Sequence, residues 1–485
     1  MKKMLFLFLI VSIVTKANVY YVATDGNDTN TGTELSTPFK TIAKACSKAV
    51  TAGDRIYVRA GTYTCSSTIK LSKSGTATAP IYLEGYATER PFIDFSGTAF
   101  GSCGFSLTGS YWYIKGLDIG KAGDNGMHIT GAFNVVEWCS FYENKDSGLQ
   151  LSGGAHDNKM LNCDSYWNAD PTDYGDADGF ACKMDVGTNN YFYGCRSWAN
   201  VDDGWDGYLR GANNVTTILE NCWTWRNGYA KDGTDYGAQA NGNGFKMGGS
   251  DDKALEHNFI LKNCVAFDNK AKGFDQNNNR GTMIIYNGTS FRNKGNNFSI
   301  YLALDSGKTC SIVNCVNYGG NVSLQSFVNQ QTNSWMSPFN VTEDDFVSLD
   351  TTGVSGPRGA DGSLPVLPFL HLKASSDLID AGTAVGITFT GSAPDLGAFE
   401  YKSNSTLLSV PFEDQRPYFC GENLIIPCSR QEKLTCTLYK INGQVAQMAV
   451  VGAGETCLDC ADLEKGFYVA VLSDQRACST YKLIR

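Results

Sequence analysis

Cys195-Arg196-Ser197-Trp198-Ala199-Asn200-Val201-Asp202-Asp203-Gly204-Trp205-Asp206 is one copy of a template that recurs through the middle of the chain. Anchored on Cys139, Cys163, Cys195, Cys222, Cys264 and Gly288, the template places an aromatic three residues on: Tyr142, Tyr166, Trp198, Trp225, Phe267 and Phe291. Five residues after each anchor stands an asparagine: Asn144, Asn168, Asn200, Asn227, Asn269 and Asn293. In the first five copies a glycine–hydrophobic pair follows: Gly148-Leu149, Gly179-Phe180, Gly204-Trp205, Gly244-Phe245 and Gly273-Phe274. Repetition at a spacing of 24 residues or more marks a solenoid, in which equivalent positions stack on one another.

The runs between these marks are short and β-prone, as in Asn190-Tyr-Phe-Tyr-Gly194 and Thr282-Met-Ile-Ile-Tyr286, and Gly and Asn punctuate them. No helical periodicity interrupts them, and the regular leucines of a leucine-rich repeat are missing. The expectation is an all-β chain built as a parallel β-helix. Asparagines would hydrogen-bond along its axis, and aromatics and cysteines would fill its interior.

With 485 residues the chain is long enough for more than one domain. The net charge of −9, without a basic patch, argues against nucleic acid as a partner. Lys2 and Lys3 precede an apolar run from Met4 to Val14, and Thr15-Lys16-Ala17 supplies small residues before a cut at Asn18. This is the pattern of a signal peptide at 1–17. The run is too short to span a membrane, so the expectation is a soluble monomer secreted to the extracellular space or the cell surface. Seventeen cysteines in an exported chain suggest disulfides, but those at the repeat register read as a stack of reduced, apolar thiols. Six more lie in the tail, where disulfides fit better: Cys420, Cys428, Cys436, Cys457, Cys460 and Cys478.

Ahead of the repeat, Thr37-Pro38 is expected to open an amphipathic helix carrying Phe39, Ile42, Ala43, Cys46 and Val50, which would cap the first coil. The β-helix is expected over 18–401, with Asp395 to Tyr401 as its closing edge. A linker over 402–416 and a small β-sandwich-like domain over 417–485 follow. That tail resembles the C-terminal sorting domains of the type IX secretion system, through Tyr439 to Gly443, Gly466-Phe-Tyr-Val469 and the basic terminus. A carbohydrate-binding β-sandwich is the other reading.

Against the glycine–hydrophobic mark, Asp178 and Asp203 both stand one residue before it and Asp202 two before. Asp206, Lys246 and Asp275 all stand two after it in successive coils. At a strand spacing of about 4.8 Å, four carboxylates from two coils would converge, with Lys246 one rung along. Oxygen donors without His or Cys favour Ca²⁺. Asp173, Asp176 and Asp185 read instead as solvated turn residues. Extra loops at 169–177 and 228–241 flank the carboxylate coil as cleft walls bearing Tyr174, Tyr229 and Tyr236.

At these residues the chain resembles the family 9 polysaccharide lyases, the pectate lyase and rhamnogalacturonan lyase group with a right-handed parallel β-helix. The resemblance is sharpest over 178–279, in Asp178-Gly-Phe-Ala-Cys-Lys183, Asp202-Asp-Gly-Trp-Asp206, Asn243-Gly-Phe-Lys-Met-Gly-Gly249 and Lys272-Gly-Phe-Asp-Gln-Asn-Asn-Asn279. It implies that Asp178, Asp202, Asp203 and Asp206 hold calcium and that Lys246 is the base of a β-elimination on pectin, an acidic plant cell-wall polysaccharide. Lys183, Arg210, Lys272 and Arg280 are candidates for binding substrate carboxylates. A rhamnogalacturonan I lyase would use the same site. A β-helix glycoside hydrolase would need paired acid and base carboxylates, usually with a histidine, and none of His128, His156, His257 and His371 lies beside the aspartates in sequence. A non-catalytic polysaccharide-binding or adhesin solenoid explains the repeat but not the shared register of Lys246 and Asp206.

Overall fold

The structure, a computed structural model, describes residues 17–402 and, in the tail, 417–420, 422–428, 434–440, 445–451, 454–473 and 478–484. The expected signal peptide and linker fall almost wholly outside the described residues. The chain divides into two compact units, one through Glu400 and one from Tyr401.

The first unit is a right-handed parallel β-helix with sheets of 12, 10 and 10 strands. One coil shows how the template builds it. Asn190–Tyr193 lies in the first sheet, Arg196–Trp198 in the second and Trp205–Asp206 in the third, each paired in parallel with its counterparts one coil away. The corner before each anchor is turned by one residue in the left-handed region, such as Asn162, Asn221, Asn263 and Asn287 (φ 52°, 54°, 52° and 51°). Asparagine tolerates that conformation better than most side chains.

The anchor thiols of Cys139, Cys163, Cys195, Cys222 and Cys264, and that of Cys315 in the coil after Gly288, are buried and form no disulfides. Most donate to backbone carbonyls inside the coil, as from Cys163 Sγ to Val136 O (3.4 Å). The asparagines form the expected ladder at the next corner. Each Nδ2 from Asn144 through Asn269 donates to the Oδ1 of the next asparagine, at 2.8–3.0 Å. The glycine mark is a point of close approach: a Cβ on Gly204 would fall on the Thr224 hydroxyl, and one on Gly179 on the Ser197 hydroxyl. Behind the glycines, Phe180, Trp205, Phe245, Phe274 and Phe298 stack through the interior at centroid spacings of 4.9–5.1 Å.

Three expectations need correction. The aromatics three residues past the anchors stack on the outer face of the second sheet rather than inside. Strand residues alternate faces, and the inward positions there belong to Phe141, Ser165, Ser197 and Thr224. Residues 338–400 do not close the end of the solenoid; they run back along this outer face. Phe369 packs on Phe267, Phe399 on Trp223, and Arg358 pairs with Asp164 at 2.7 Å. The helix is shorter than expected, Ile42–Lys48, with Ala43 and Val50 exposed. It starts at Thr41 because Asp28 accepts from the Lys40 and Thr41 amides, and Phe39 is drawn into a bridge with Val22.

The tail unit has two antiparallel sheets, of three and four strands. Leu424 and Ile426 of one share a hydrophobic core with Leu438, Tyr468 and Ala470 of the other. Cys436 and Cys457 carry no disulfide, and the side chains of Cys420, Cys428 and Cys478 lie outside the described residues.

Candidate active site

The third sheet carries the chemistry on its outward row. Strand pairing sets Gln150, Ala181, Asp206, Lys246, Asp275 and Ser299 side by side in that order, one per coil. The parity follows from the inward aromatic stack: with Trp205 and Phe245 facing the core, Asp206 and Lys246 must face out.

Asp178, Asp202 and Asp203 occupy the turn that leads into this sheet, and each is fully buried. Each offers one carboxylate oxygen to a cluster whose atoms lie within 4.8 Å of one another. Asp203 N donates to Asp178 Oδ1 (3.2 Å), which locks the two coils in register at this point. Asp206 stands beside the trio rather than within it. Its Oδ1 accepts from Tyr208 N (2.9 Å) and faces Lys246 Nζ at 3.3 Å, while its Oδ2 lies 4.0 Å from Lys183 Nζ. Lys246 Nζ is also 3.1 Å from Asp203 Oδ2, an ion-pair contact rather than an aligned hydrogen bond.

The field inside the cluster is strongly negative. Burial raises the carboxyl of Asp178 well above its ordinary value; Lys183 opposes this and Asp206 and Asp203 add to it. Asp202 is raised well above by burial, then by Asp203 and Asp178. Asp203 is raised by burial, with Lys246 pulling the other way. Burial depresses the Lys246 ammonium, but Asp206, Asp203, Asp202 and Asp178 outweigh it and hold its proton far more tightly than in a free lysine. Asp202 Oδ2 is buried without a hydrogen-bond donor, which is costly for a carboxylate. Converging oxygens, with Oδ2 of both Asp202 and Asp203 lacking a hydrogen-bond donor and no nitrogen or sulfur ligand among them, fit a hard divalent cation such as Ca²⁺.

The four basic candidates separate. Lys272 is half-buried at the rim, 2.9 Å from Asp275 Oδ1 and beside the Tyr301 ring. Arg210 is exposed and pairs with Asp251 (3.1 Å), whose other oxygen accepts from the Tyr208 hydroxyl (2.7 Å). Lys183, expected to meet substrate, is instead buried; its ammonium is 2.9 Å from Asp178 Oδ2 and 3.3 Å from Asp176 O, drawn in by the aspartates' field. Arg280 is likewise turned to the scaffold, donating to the carbonyls of Lys253 (2.9 Å) and Ala303 (2.5 Å). Asp173 and Asp185 accept from nearby turn amides, as solvated turn residues do.

Tyr208 escaped the sequence reading. Its ring centroid lies 5.5 Å from Lys246 Nζ, and the register carried the signal, since it sits two residues past Asp206 on the same coil. His257 approaches Asp206 only from inside the coil. Its nitrogens are taken by Gly207 O and Thr217 Oγ1, both at 2.8 Å, and burial lowers it to about 4.

The chain is similar to known proteins. A family model described as "Pel9A-like, right handed beta helix region" matches residues 20–314. Pectate lyase L of Dickeya dadantii (strain 3937) is 38% identical over 401 residues, covering 80% of this chain and 91% of that protein. The crystal structure of pectate lyase Pel9A superposes with a TM-score of 0.74 at 38% identity, over 80% of this chain and 97% of that one. A rhamnogalacturonan lyase follows at a TM-score of 0.62 and 27% identity, over 74% and 97%. The chain therefore belongs to the Pel9A-like right-handed β-helix family, the family 9 polysaccharide lyases, and is itself a polysaccharide lyase.

Proposed function

We propose that the protein is a secreted, calcium-dependent pectate lyase that cleaves polygalacturonate by β-elimination, with Lys246 as the base. The observation that carries this reading is the placement of the Lys246 ammonium, 3.3 Å from Asp206 and 3.1 Å from Asp203, on the outward row beside the buried oxygen cluster. The names of the relatives support pectate as substrate.

Asp178, Asp202 and Asp203, with Asp206 alongside, would hold the ion. Bound there, Ca²⁺ supplies positive charge that offsets the carboxylates' pull on the lysine proton and a ligand for the uronate carboxylate as negative charge develops next to it. Lys246 in its neutral form takes the proton from uronate C5 onto its Nζ lone pair. The C5–H electrons become the C4–C5 double bond, and the C4–O4 bond breaks with its electron pair going to O4. O4 takes a proton from solvent water to give a 4,5-unsaturated sugar and a new chain end, Lys246 later returning its proton to solvent. Lys272 and Arg210, at the rim, would hold neighbouring uronate carboxylates.

A rhamnogalacturonan I lyase is the second reading, favoured by the similarity to the rhamnogalacturonan lyase structure. Incubation with each polymer, with and without calcium, separates the two by the absorbance of unsaturated products. The expected result is product from polygalacturonate that disappears with chelator. Absence of product from both polymers would leave only a binding solenoid.

The organisation 1–17 signal peptide, 18–401 lyase unit, 402–416 linker and 417–485 sorting domain for type IX secretion machinery is part of the same reading, as is a monomer. Mass measurement of the exported protein tests the cut at Asn18 and removal of the tail.

A further inference from the structure

The two insertions meet each other before they reach the site. The Tyr174 and Tyr236 rings stack face to face, centroids 3.8 Å apart and planes 8° from parallel, and both are half-buried. Gly175 comes up against the Gln239 carbonyl at the same junction. Lys270 fastens the second loop to the scaffold, 2.7 Å from Asp235 and 2.9 Å from Ala240 O.

Each loop then runs directly into the oxygen cluster. The first ends at Asp178, and the Asp176 carbonyl just before it accepts from Ser147 Oγ (3.0 Å) and Lys183 Nζ (3.3 Å). The second ends in two donors: Asn241 N to Asp202 Oδ1 (2.8 Å), and Asn243 N to Asp203 Oδ1 (2.6 Å), seconded by Asn243 Nδ2 (2.9 Å). In both aspartates the donors take Oδ1 and leave Oδ2 buried without a hydrogen-bond donor. The loop thus fixes which oxygen of each carboxylate remains to face a cation.

We propose that the Tyr174–Tyr236 stack is a clasp that positions Asp202 and Asp203 through the second loop, so that cation binding and loop closure are coupled. This rests on the calcium reading above. Tyr174 and Tyr236 are positioning residues and touch neither ion nor substrate. Coupling is reciprocal: a clasp that raises affinity for the ion is itself tightened by the ion.

The test is calorimetric titration of calcium into the chelator-stripped full chain. Tyr236→Ala and Tyr174→Ala should weaken the calcium Kd by about tenfold, as loss of groups that orient metal ligands generally does. Tyr236→Phe, which keeps the stack, should bind as the wild type does, and all variants should share the wild-type thermal midpoint in chelator. Equal Kd values for wild type and both alanine variants would overturn the clasp while leaving the calcium site intact, as would an alanine variant that raises only KM for the polymer. A wild-type chain that takes up no calcium removes the metal reading and the clasp with it. Should the alanine variants not fold, trypsin cleavage of the wild type at Lys231, an exposed residue of the second loop, decides: calcium should slow it, and equal rates with and without calcium overturn the proposal.

Discussion

Lys246 lies directly across the strand pairing from Asp206, with its ammonium nitrogen 3.3 Å from that residue's Oδ1. A charged pair fixed by backbone register is held by the sheet itself, not by the flexibility of two side chains. Replacing Lys246 by Ala should therefore lower turnover of polygalacturonate by about 10²–10⁴-fold, read as unsaturated-product absorbance. The same variant should be less stable in chelator, because Asp203 and Asp206 lose their nearest cation, and calcium should restore its unfolding midpoint.

Asp202→Asn should have opposite effects on stability and on metal binding. The carboxylate's Oδ2 is buried without a donor, and an amide in its place can donate to the neighbouring aspartates. In chelator the variant should gain about 1–3 kcal/mol in urea unfolding, the cost of an unsatisfied buried polar group. Its calcium affinity should drop by at least about tenfold. Unchanged stability in chelator would show that water already satisfies that oxygen.

In the metal-free protein the raised carboxyls of the site should contribute less to stability as pH rises through the acid range. Asp146 is pushed from 3.8 up to about 6, mainly by burial with Lys183 opposing, so between those values the folded state binds the proton that the unfolded state has released. Stability from that group is greatest below pH 3.8 and falls as pH climbs to about 6. The raised carboxyls of Asp178 and Asp202 extend the decline to higher pH. The difference in thermal midpoint between the wild type and an Asp146→Asn variant, measured in chelator across this range, should show this slope, and saturating calcium should flatten it.

Asn200→Ala should cost about 3 kcal/mol in equilibrium unfolding, because it orphans several buried groups at once. Asn200 Oδ1 accepts from the backbone (3.2 Å) and side chain (2.8 Å) of Asn168, and its Nδ2 supplies Asn227 Oδ1 at 3.0 Å.

The β-helix and the row holding Asp206, Lys246 and Asp275 were legible in the sequence because a stacked repeat turns register into proximity. Register does not say where a long charged side chain ends. Lys183 and Arg280 stood at plausible positions, yet one bonds Asp178 and the other two carbonyls, choices made by local charge and by the turns around them. Nothing in the repeat marks the second aromatic stack as outer, because the segment that covers it, with Phe369 and Phe399, carries no repeat to announce its path. The helix start is hidden for a similar reason: its cap, Thr41, is held by Asp28, a loop residue far upstream that the helical pattern does not include.

Mounting Lys246 and the carboxylates on consecutive rungs makes their separation a quantised property of the scaffold. Strand pairing permits whole steps of about 4.8 Å and nothing between, so the spacing cannot drift through small core substitutions. Fine adjustment is left to the corners, where insertions can lengthen freely without disturbing any rung. Divergence among such chains should accordingly show itself in corner length, with the ladder beneath unaltered.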